Sequence, residues 1–248
     1  MSRDGFTRRE ALQLLGSGLL LVSCGPVAPP PGATDGAKGY DWTKHYWGYA
    51  VDTTRCIGCC ACMRACRAEN DVPPGYFRTW VERYEVSVAG EVRVDVARGD
   101  DYVFGETGGD VSKAFFVPKL CNHCERSVCN QVCPVGAAYA TKDGVVLVDP
   151  KRCIGCGYCV QACPYGSRFI NPRSHTADKC TWCYHRITRG LLPACVQACP
   201  TGARRFGDLK QEDDPVRKII ATESVRVLQP ELLTEPHAFY LGLDREVR

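Results

Sequence analysis

Residues 152–164 read RCIGCGYCVQACP, and this stretch decides how the chain is organised. It holds four cysteines, with two, two and three residues between them, and a proline follows the last one. Its first five residues recur at 55–59, and its last six recur at 195–200. The chain therefore repeats one short unit, and its other cysteines are expected at related spacings.

Sixteen of the eighteen cysteines fall into four groups. Groups one and three share the spacing C-x2-C-x2-C-x3-C, while group two has four residues in its second gap and group four has eleven. In chain order, the groups are Cys56, Cys59, Cys62 and Cys66; Cys121, Cys124, Cys129 and Cys133; Cys153, Cys156, Cys159 and Cys163; and Cys180, Cys183, Cys195 and Cys199.

These spacings are typical of [4Fe–4S] clusters. A tight loop with two-residue gaps brings three thiolates to one cubane, and the fourth cysteine, expected at the start of the following helix, points to a neighbouring cluster. Pro134, Pro164 and Pro200 follow three of the fourth cysteines, whereas Arg67 follows that of group one. Four such units predict four [4Fe–4S] clusters in an α+β fold of two ferredoxin-like modules, with short strands, short helices and long loops.

Other cysteine chemistry fits the pattern less well. Structural zinc uses two separated pairs and no Cys-Pro ending, and cysteines two residues apart seldom form a disulfide without strain. The C-x3-C-x2-C triplet of radical enzymes does not occur in this sequence. Cys60 lies between predicted ligands, and we interpret it as a buried spectator thiol. We find no nucleophile constellation and expect the chain not to be an enzyme.

The N-terminal residues 1–24 predict an export signal. Arg8 and Arg9 precede an apolar run at residues 11–22, which is shorter than the roughly 18 residues that a spanning helix needs. This pattern is typical of the twin-arginine route, and general secretion stays open as the alternative. We expect an exported protein at the periplasmic, or extracytoplasmic, face of the cytoplasmic membrane, with its clusters inserted before export.

Cys24 ends a sequence, residues 21–24, that resembles a lipobox. Two interpretations are open: Cys24 carries a lipid anchor, or it is discarded with the signal peptide. Residues 25–45 are rich in proline and glycine and predict an extended tether. Residues 46–248 are then the four-cluster domain, in which no further apolar stretch reaches membrane-spanning length.

Local patterns predict elements around the cysteines. We expect strands at 49–52 and 145–149, a hairpin turn at Asp143-Gly144 and a short helix at 158–162. Residues 79–97 predict two strands that turn at Gly90, and residues 99–110 predict a surface loop. Asp214 and Pro215 predict the start of a helix that runs to about Thr222.

The formal net charge is +3, but four oxidised clusters of about −2 each would bring it to about −5. Basic residues near the cysteines then offset the cluster charge, or they are ordinary solvated surface. They are Arg55, Arg64, Arg152, Arg168, Lys179 and Arg186. Basic residues are not clustered with aromatic ones, so we expect no nucleic-acid partner.

Four segments carry a family resemblance, at residues 121–125, 153–165, 176–180 and 239–244. They resemble the four-cluster iron–sulfur subunits of molybdopterin oxidoreductases in the dimethyl-sulfoxide-reductase superfamily, especially the tetrathionate and polysulfide reductase beta subunits. The resemblance implies that groups one and four (residues 56–66 and 180–199) share one module, and groups two and three (residues 121–133 and 153–163) the other. The implied ligand sets are Cys56, Cys59, Cys62 and Cys199; Cys180, Cys183, Cys195 and Cys66; Cys121, Cys124, Cys129 and Cys163; and Cys153, Cys156, Cys159 and Cys133.

The same resemblance implies a function and partners. The chain would relay single electrons between an integral membrane subunit that reacts with quinone and a catalytic subunit that holds a molybdenum or tungsten pterin. The alternative is an electron-transfer subunit of an exported hydrogenase or of a multihaem quinol-oxidising complex. The polar C-terminal residues 244–248 predict that this chain lacks the C-terminal membrane helix of formate dehydrogenase beta subunits.

Overall fold

The computed structural model describes residues 39–97 and 101–247, so the predicted export signal, the lipobox and most of the tether lie outside the described residues. The helices are α1 (Ala61–Asn70), α2 (Val128–Gln131), α3 (Tyr158–Gln161), α4 (Tyr184–Ile187), α5 (Ala194–Gln197) and α6 (Pro215–Thr222). The strands are β1 (Trp47–Asp52), β2 (Thr79–Ser87), β3 (Val92–Val96), β4 (Val111–Leu120), β5 (Ala138–Ala140), β6 (Val146–Val148), β7 (Arg168–Ile170), β8 (Ala177–Lys179), β9 (Arg204–Asp208), β10 (Val225–Arg226) and β11 (Ala238–Leu241). The predicted mixture of short helices and strands is confirmed, and none of the described helices has the length and apolar character needed to cross a membrane.

A four-stranded sheet joins the two ends of the described chain, in the order β10-β11-β1-β9. β1 runs parallel to β11, with Tyr49 opposite Ala238, and antiparallel to β9, with Tyr49 opposite Phe206. The middle residues of β1 are buried whichever way they point, as expected for a central strand that is covered on both faces. The strand predicted at 49–52 is confirmed, while its two partners come from the last fifth of the chain.

A three-stranded antiparallel sheet has the order β3-β2-β4. The two strands predicted at 79–97 are confirmed, and Gly90 in the turn between them has a φ of +84°, which glycine adopts without steric cost. The described part of the predicted surface loop, residues 101–110, is irregular. We did not predict β4, in which Pro118 pairs with Val81 of β2; β4 lies at the edge of its sheet, where proline is tolerated.

Two hairpins, β5-β6 and β7-β8, complete the sheets that the structure describes. The predicted strand before group three is confirmed as β6, and Gly144 in the turn before it has a φ of +84°. The predicted helix at 158–162 is confirmed as α3. Strands β5, β7 and β9 each begin five residues after the fourth cysteine of a group. Each of these three cysteines is therefore followed by a short turn and a strand.

The prediction that the fourth cysteine of each group lies at the start of a helix is wrong. Helices α2, α3 and α5 contain the third cysteines of their groups and end two residues before the fourth. A proline follows each of these fourth cysteines, and the residue before a proline disfavours the helical conformation. Group one has Arg67 instead, so α1 continues to Asn70 and carries both Cys62 and Cys66.

Helix α6 starts and ends as predicted, at Pro215 and Thr222. The Asp214 carboxylate caps it by accepting a hydrogen bond of 2.7 Å from the Val216 amide. The second carboxylate oxygen accepts a bond of 2.8 Å from the Asp208 amide in β9. The cap therefore also ties the helix to the sheet that contains β1.

Candidate metal centres

Three cavities of similar size are each lined by four of the sixteen grouped cysteines, with empty space of about 350, 320 and 310 Å³ that includes some open solvent. In each case three cysteines come from one group and the fourth comes from another. Together with a further site they are numbered one to four, in the order in which they neighbour one another. The first site has Cys56, Cys59, Cys62 and Cys199; the third has Cys121, Cys124, Cys129 and Cys163; and the fourth has Cys133, Cys153, Cys156 and Cys159.

The remaining four cysteines form the second site: Cys66, Cys180, Cys183 and Cys195. All four are buried, with 4–6% of their surface exposed. Burial raises the pKa of the Cys66 thiol well above its ordinary value, and the charges of the other three raise it further. The Asn70 side-chain nitrogen lies 3.6 Å from the sulfurs of both Cys66 and Cys183. The structure thus brings together the same four sets that the family resemblance implied.

Four thiols around one space fit the ligand set of a [4Fe–4S] cluster. All seventeen cysteines in the described part of the chain are free, which excludes a disulfide framework there. Within the same residues no group of three or more His, Cys, Asp or Glu could hold a single metal ion. A [4Fe–4S] cubane needs a different arrangement of ligands, because each of its four irons is bound by one thiolate, so the four sulfurs need not converge on one point.

The four sites lie in a row. Burial is the main cause of the raised pKa of Cys62 in the first site, and Cys195 of the second site raises it further. In the second site the pKa of Cys180 is raised by burial and also by neighbouring thiols, including Cys121 of the third site. In the same way Cys129 of the third site acts on the pKa of Cys159 of the fourth. These charge interactions make the second site a neighbour of the first, the third a neighbour of the second, and the fourth a neighbour of the third.

Burial keeps several of these thiols protonated in the protein by itself. Burial raises the pKa of Cys56 to about 11 and that of Cys124 to about 12. Ionised thiolates therefore need the positive charge of bound iron, and loading releases protons. Some backbone amides are already aimed at sulfur, as in the 3.2 Å bond from Ala137 N–H to Cys133 Sγ and the 3.3 Å bond from Ala177 N–H to Cys153 Sγ.

The residue before the second cysteine has a left-handed backbone conformation in all four groups. Gly58 and Gly155 occupy this place in groups one and three, with φ of +69° and +70°. A β-carbon on Gly155 would lie 2.3 Å from the backbone oxygen of His175, so no other residue fits. In groups two and four the place is taken by His123 and Trp182, at +45° and +52°, a conformation that costs about 1 kcal/mol or more for such residues.

His123 and Trp182 stack at the junction of the second and third sites. Both are buried, and their ring centroids lie 4.0 Å apart. Burial lowers the pKa of His123 well below its ordinary value, and Nδ1 of the neutral ring accepts a 3.0 Å bond from the Val146 amide. We missed both residues in the sequence, where their common place before a second cysteine was the available signal.

Only some of the basic residues near the cysteines are buried. Arg168 and Lys179 are 4% and 1% exposed, and Lys179 Nζ donates to the backbone oxygen of Cys180 at 2.7 Å. Arg55, Arg64 and Arg152 are exposed, and Arg186 is half-buried. Arg204, which we did not select from the sequence, is 2% exposed and lines the first cavity.

Cys60 also borders the first cavity, yet its surroundings support the spectator interpretation. It is 2% exposed, and its Sγ donates to the backbone oxygen of Gly58 at 3.3 Å. Burial raises its pKa to about 12. Gly157 holds the same place in the repeated unit of group three, and both residues have a positive φ, of 55° and 78°.

Comparison with known proteins places the chain in a family. Residues 112–209, which include groups two, three and four, match the model of the 4Fe-4S dicluster domain. The B subunit of tetrathionate reductase from Salmonella typhimurium is 41% identical over 240 residues, covering 96% of this chain and 89% of that protein. The corresponding B subunit from Archaeoglobus fulgidus is 48% identical over 195 residues, covering 79% of this chain and 81% of that protein. This chain belongs to the family of tetrathionate reductase B subunits.

The family resemblance expected from the sequence is therefore confirmed. Another relative, the thiosulfate reductase electron transfer subunit PhsB of Salmonella typhi, is 41% identical over 163 residues, covering 65% of this chain and 76% of that protein. Members of this family are iron–sulfur electron-transfer proteins, and the cysteines of this chain fit several [4Fe–4S] clusters.

Proposed function

We propose that this chain is the non-catalytic wire of an exported reductase complex and moves single electrons through four [4Fe–4S] clusters. The observation that carries the proposal is the row of four sites, each with four cysteines. Each set of four supplies the ligands of one cluster. The first and second sites form one ferredoxin-like module, and the third and fourth form the other, within a domain at residues 46–248.

The two ends of the row are where electrons enter and leave. Among the described cysteines only Cys59 and Cys156 are exposed, and they belong to the first and fourth sites. Beside them Ile57 and Ile154 are 61% and 64% exposed, so each terminal site presents a cysteine and an apolar side chain at the surface. Each terminal site therefore faces a partner, while the two middle sites serve transfer within the chain.

The names of the relatives support the kind of partner. Two are B subunits of tetrathionate reductases and one is an electron transfer subunit of thiosulfate reductase. By analogy this chain binds a catalytic subunit with a molybdenum or tungsten pterin at one end. At the other end it binds an integral membrane subunit that exchanges electrons with quinone.

The test is metal analysis of anaerobically purified protein, followed by a redox titration monitored by EPR. We expect about sixteen iron and sixteen acid-labile sulfide atoms per chain and four reducible centres. Purification from the native host should also retain a pterin-containing subunit. Zinc in place of iron, or fewer than four centres in a fully loaded sample, would refute the four-cluster wire.

Export is a further part of the proposal and rests on Arg8 and Arg9. Replacing both by lysine keeps the positive charge but removes the twin-arginine signal, so the variant should accumulate in the cytoplasm with its iron bound. Fractionation and immunoblotting measure this, with the Lys44→Arg variant as a control outside the signal. Normal export of the twin-lysine variant would support general secretion instead.

Release of the exported wild-type chain by a salt wash would argue against a lipid on Cys24.

A further inference from the structure

Two buried arginines occupy the same place in the repeated unit. Arg168 and Arg204 each follow the fourth cysteine of a group by five residues, at the end of the sequence Cys-Pro-x-Gly-Ser/Ala-Arg. Each is the first residue of a strand, β7 or β9. Group two has Ala138 at this place. There is thus one such arginine in each proposed module.

Arg168 lies between the third and fourth sites. Its Nη2 donates to Cys129 Sγ of the third site at 2.9 Å, and its charge also acts on Cys159 of the fourth site. Its Nε and Nη1 are buried and have no hydrogen-bond partner among the described residues. The guanidinium therefore reaches the thiols of both sites and keeps two donors unused.

Arg204 has the corresponding place between the first and second sites. It lines the first cavity, and its charge acts on Cys62 of the first site and Cys195 of the second. Its Nη2 donates to Thr79 Oγ1 at 2.8 Å and its Nη1 to the Tyr49 hydroxyl at 3.4 Å. The same hydroxyl lies 3.3 Å from Cys195 Sγ. The Nε of Arg204, like two nitrogens of Arg168, has no hydrogen-bond partner in the described part of the chain.

Among the described residues, no carboxylate balances the positive charge of these two arginines. Neither forms a salt bridge with a carboxylate of the described residues, although Arg78, Arg83 and Arg186 all do. A buried cation without an opposite charge costs several kcal/mol, and a guanidinium does not lose its proton in proteins. The compensating negative charge must come from whatever the surrounding thiols bind, which on the proposed function is a pair of clusters of about −2 each.

We propose that Arg168 and Arg204 set the reduction potentials of the clusters in their own modules, each acting on the pair between which it lies. The inference rests on the proposed function. Reduction adds one electron from the preceding donor to a cluster and neither forms nor breaks a bond. A fixed positive charge at short range stabilises the added negative charge, so each arginine raises the potential of two centres and leaves the other two near their own values.

The test compares Arg204→Gln, Arg168→Gln and the control Arg205→Gln by redox titration with EPR detection. Each variant loses one positive charge, but Arg205 is the next residue of β9 and points to the opposite face. We expect Arg204→Gln to lower the potential of two of the four centres by at least about 59 mV, a tenfold loss of electron affinity. Arg168→Gln should lower the other two, and Arg205→Gln none.

Lysine variants separate charge from packing, because lysine keeps the charge without the planar fork. Arg204→Lys and Arg168→Lys should recover most of the lost potential. Unchanged potentials in glutamine variants with full iron content would overturn the inference, and so would equal shifts of all four centres. Loss of iron in both the glutamine variants and the corresponding uncharged methionine variants would also overturn it, because the arginine would then serve assembly. Fewer than four centres in the wild type would instead refute the proposed function.

Discussion

Removal of iron is expected to unfold the chain. The cysteines of the sites are part of the core itself, where Cys62, Cys121 and Cys195 belong to the same buried cluster as Tyr49 and Val81. A cavity left in a core costs roughly 24 cal/mol per Å³, so each 100 Å³ left empty costs about 2.4 kcal/mol. Four such voids approach the whole stability of an ordinary domain, about 5–15 kcal/mol. Helices of four residues, such as α3 and α5, are too short to persist without tertiary support.

The measurement is circular dichroism with thermal melting before and after anaerobic treatment with an iron chelator and an oxidant. The iron-free chain should lose its cooperative transition and most of its strand signal, and reconstitution with iron and sulfide should restore both. The chelator alone, which removes little iron from intact clusters, is the control. A fully iron-free chain that keeps a cooperative transition would show that the protein core is sufficient without clusters.

Two neighbouring cysteines are expected to respond in opposite ways to substitution. Cys59→Ser should remove about a quarter of the iron and one reducible centre, because Cys59 is a proposed ligand of the first cluster. Cys60→Gly should keep all of the iron. Its melting temperature should change little, because relief of the left-handed conformation of Cys60, with a φ of 55°, gains about 1 kcal/mol and loss of its buried side chain costs about as much. The repeated unit already has glycine there, at Gly157.

Iron content, the number of EPR-active centres and the electron-transfer rate to a partner distinguish these variants. Cys156→Ser, the counterpart of Cys59→Ser in group three, should lose a cluster at the other end of the row and also stop electron flow. Iron loss in Cys60→Gly together with full iron in Cys59→Ser would make Cys60 the ligand. That result would also break the spacing that groups one and three share.

Much of the local structure follows from short patterns. The strand at 49–52, the turns at Gly90 and Gly144 and the helix after Asp214 are all found as predicted, because turn and cap residues act on their immediate neighbours. The place of the fourth cysteines was predicted wrongly for a reason of the same kind. Pro134, Pro164 and Pro200 disfavour a helical conformation at the fourth cysteines, which therefore follow a helix instead of starting one, and this effect could have been taken from the sequence.

Other features depend on contacts between distant segments. Strand β4 forms by pairing with β2 at the edge of its sheet, a place where Pro118 is tolerated and which the local sequence does not reveal. Arg204 has the same place as Arg168 in the repeated unit, but only the fold shows that it is buried near Cys62 and Cys195. His123 and Trp182 likewise have no local reason to adopt a left-handed backbone. The free-energy cost of this conformation is offset by their stacking in a packed core.

The sequence by itself determined the number and kind of the sites, because one tight loop presents three cysteines at fixed gaps and local spacing decides which three can share a cluster. It did not determine by spacing which fourth cysteine completes each set. Only the tertiary structure decided that Cys199 lies beside Cys56 and that Cys66 lies beside Cys180. The pairing of β1 with β9 and β11 brings the ends of the chain together, and that long-range pairing is driven by burial of whole surfaces rather than by any short motif.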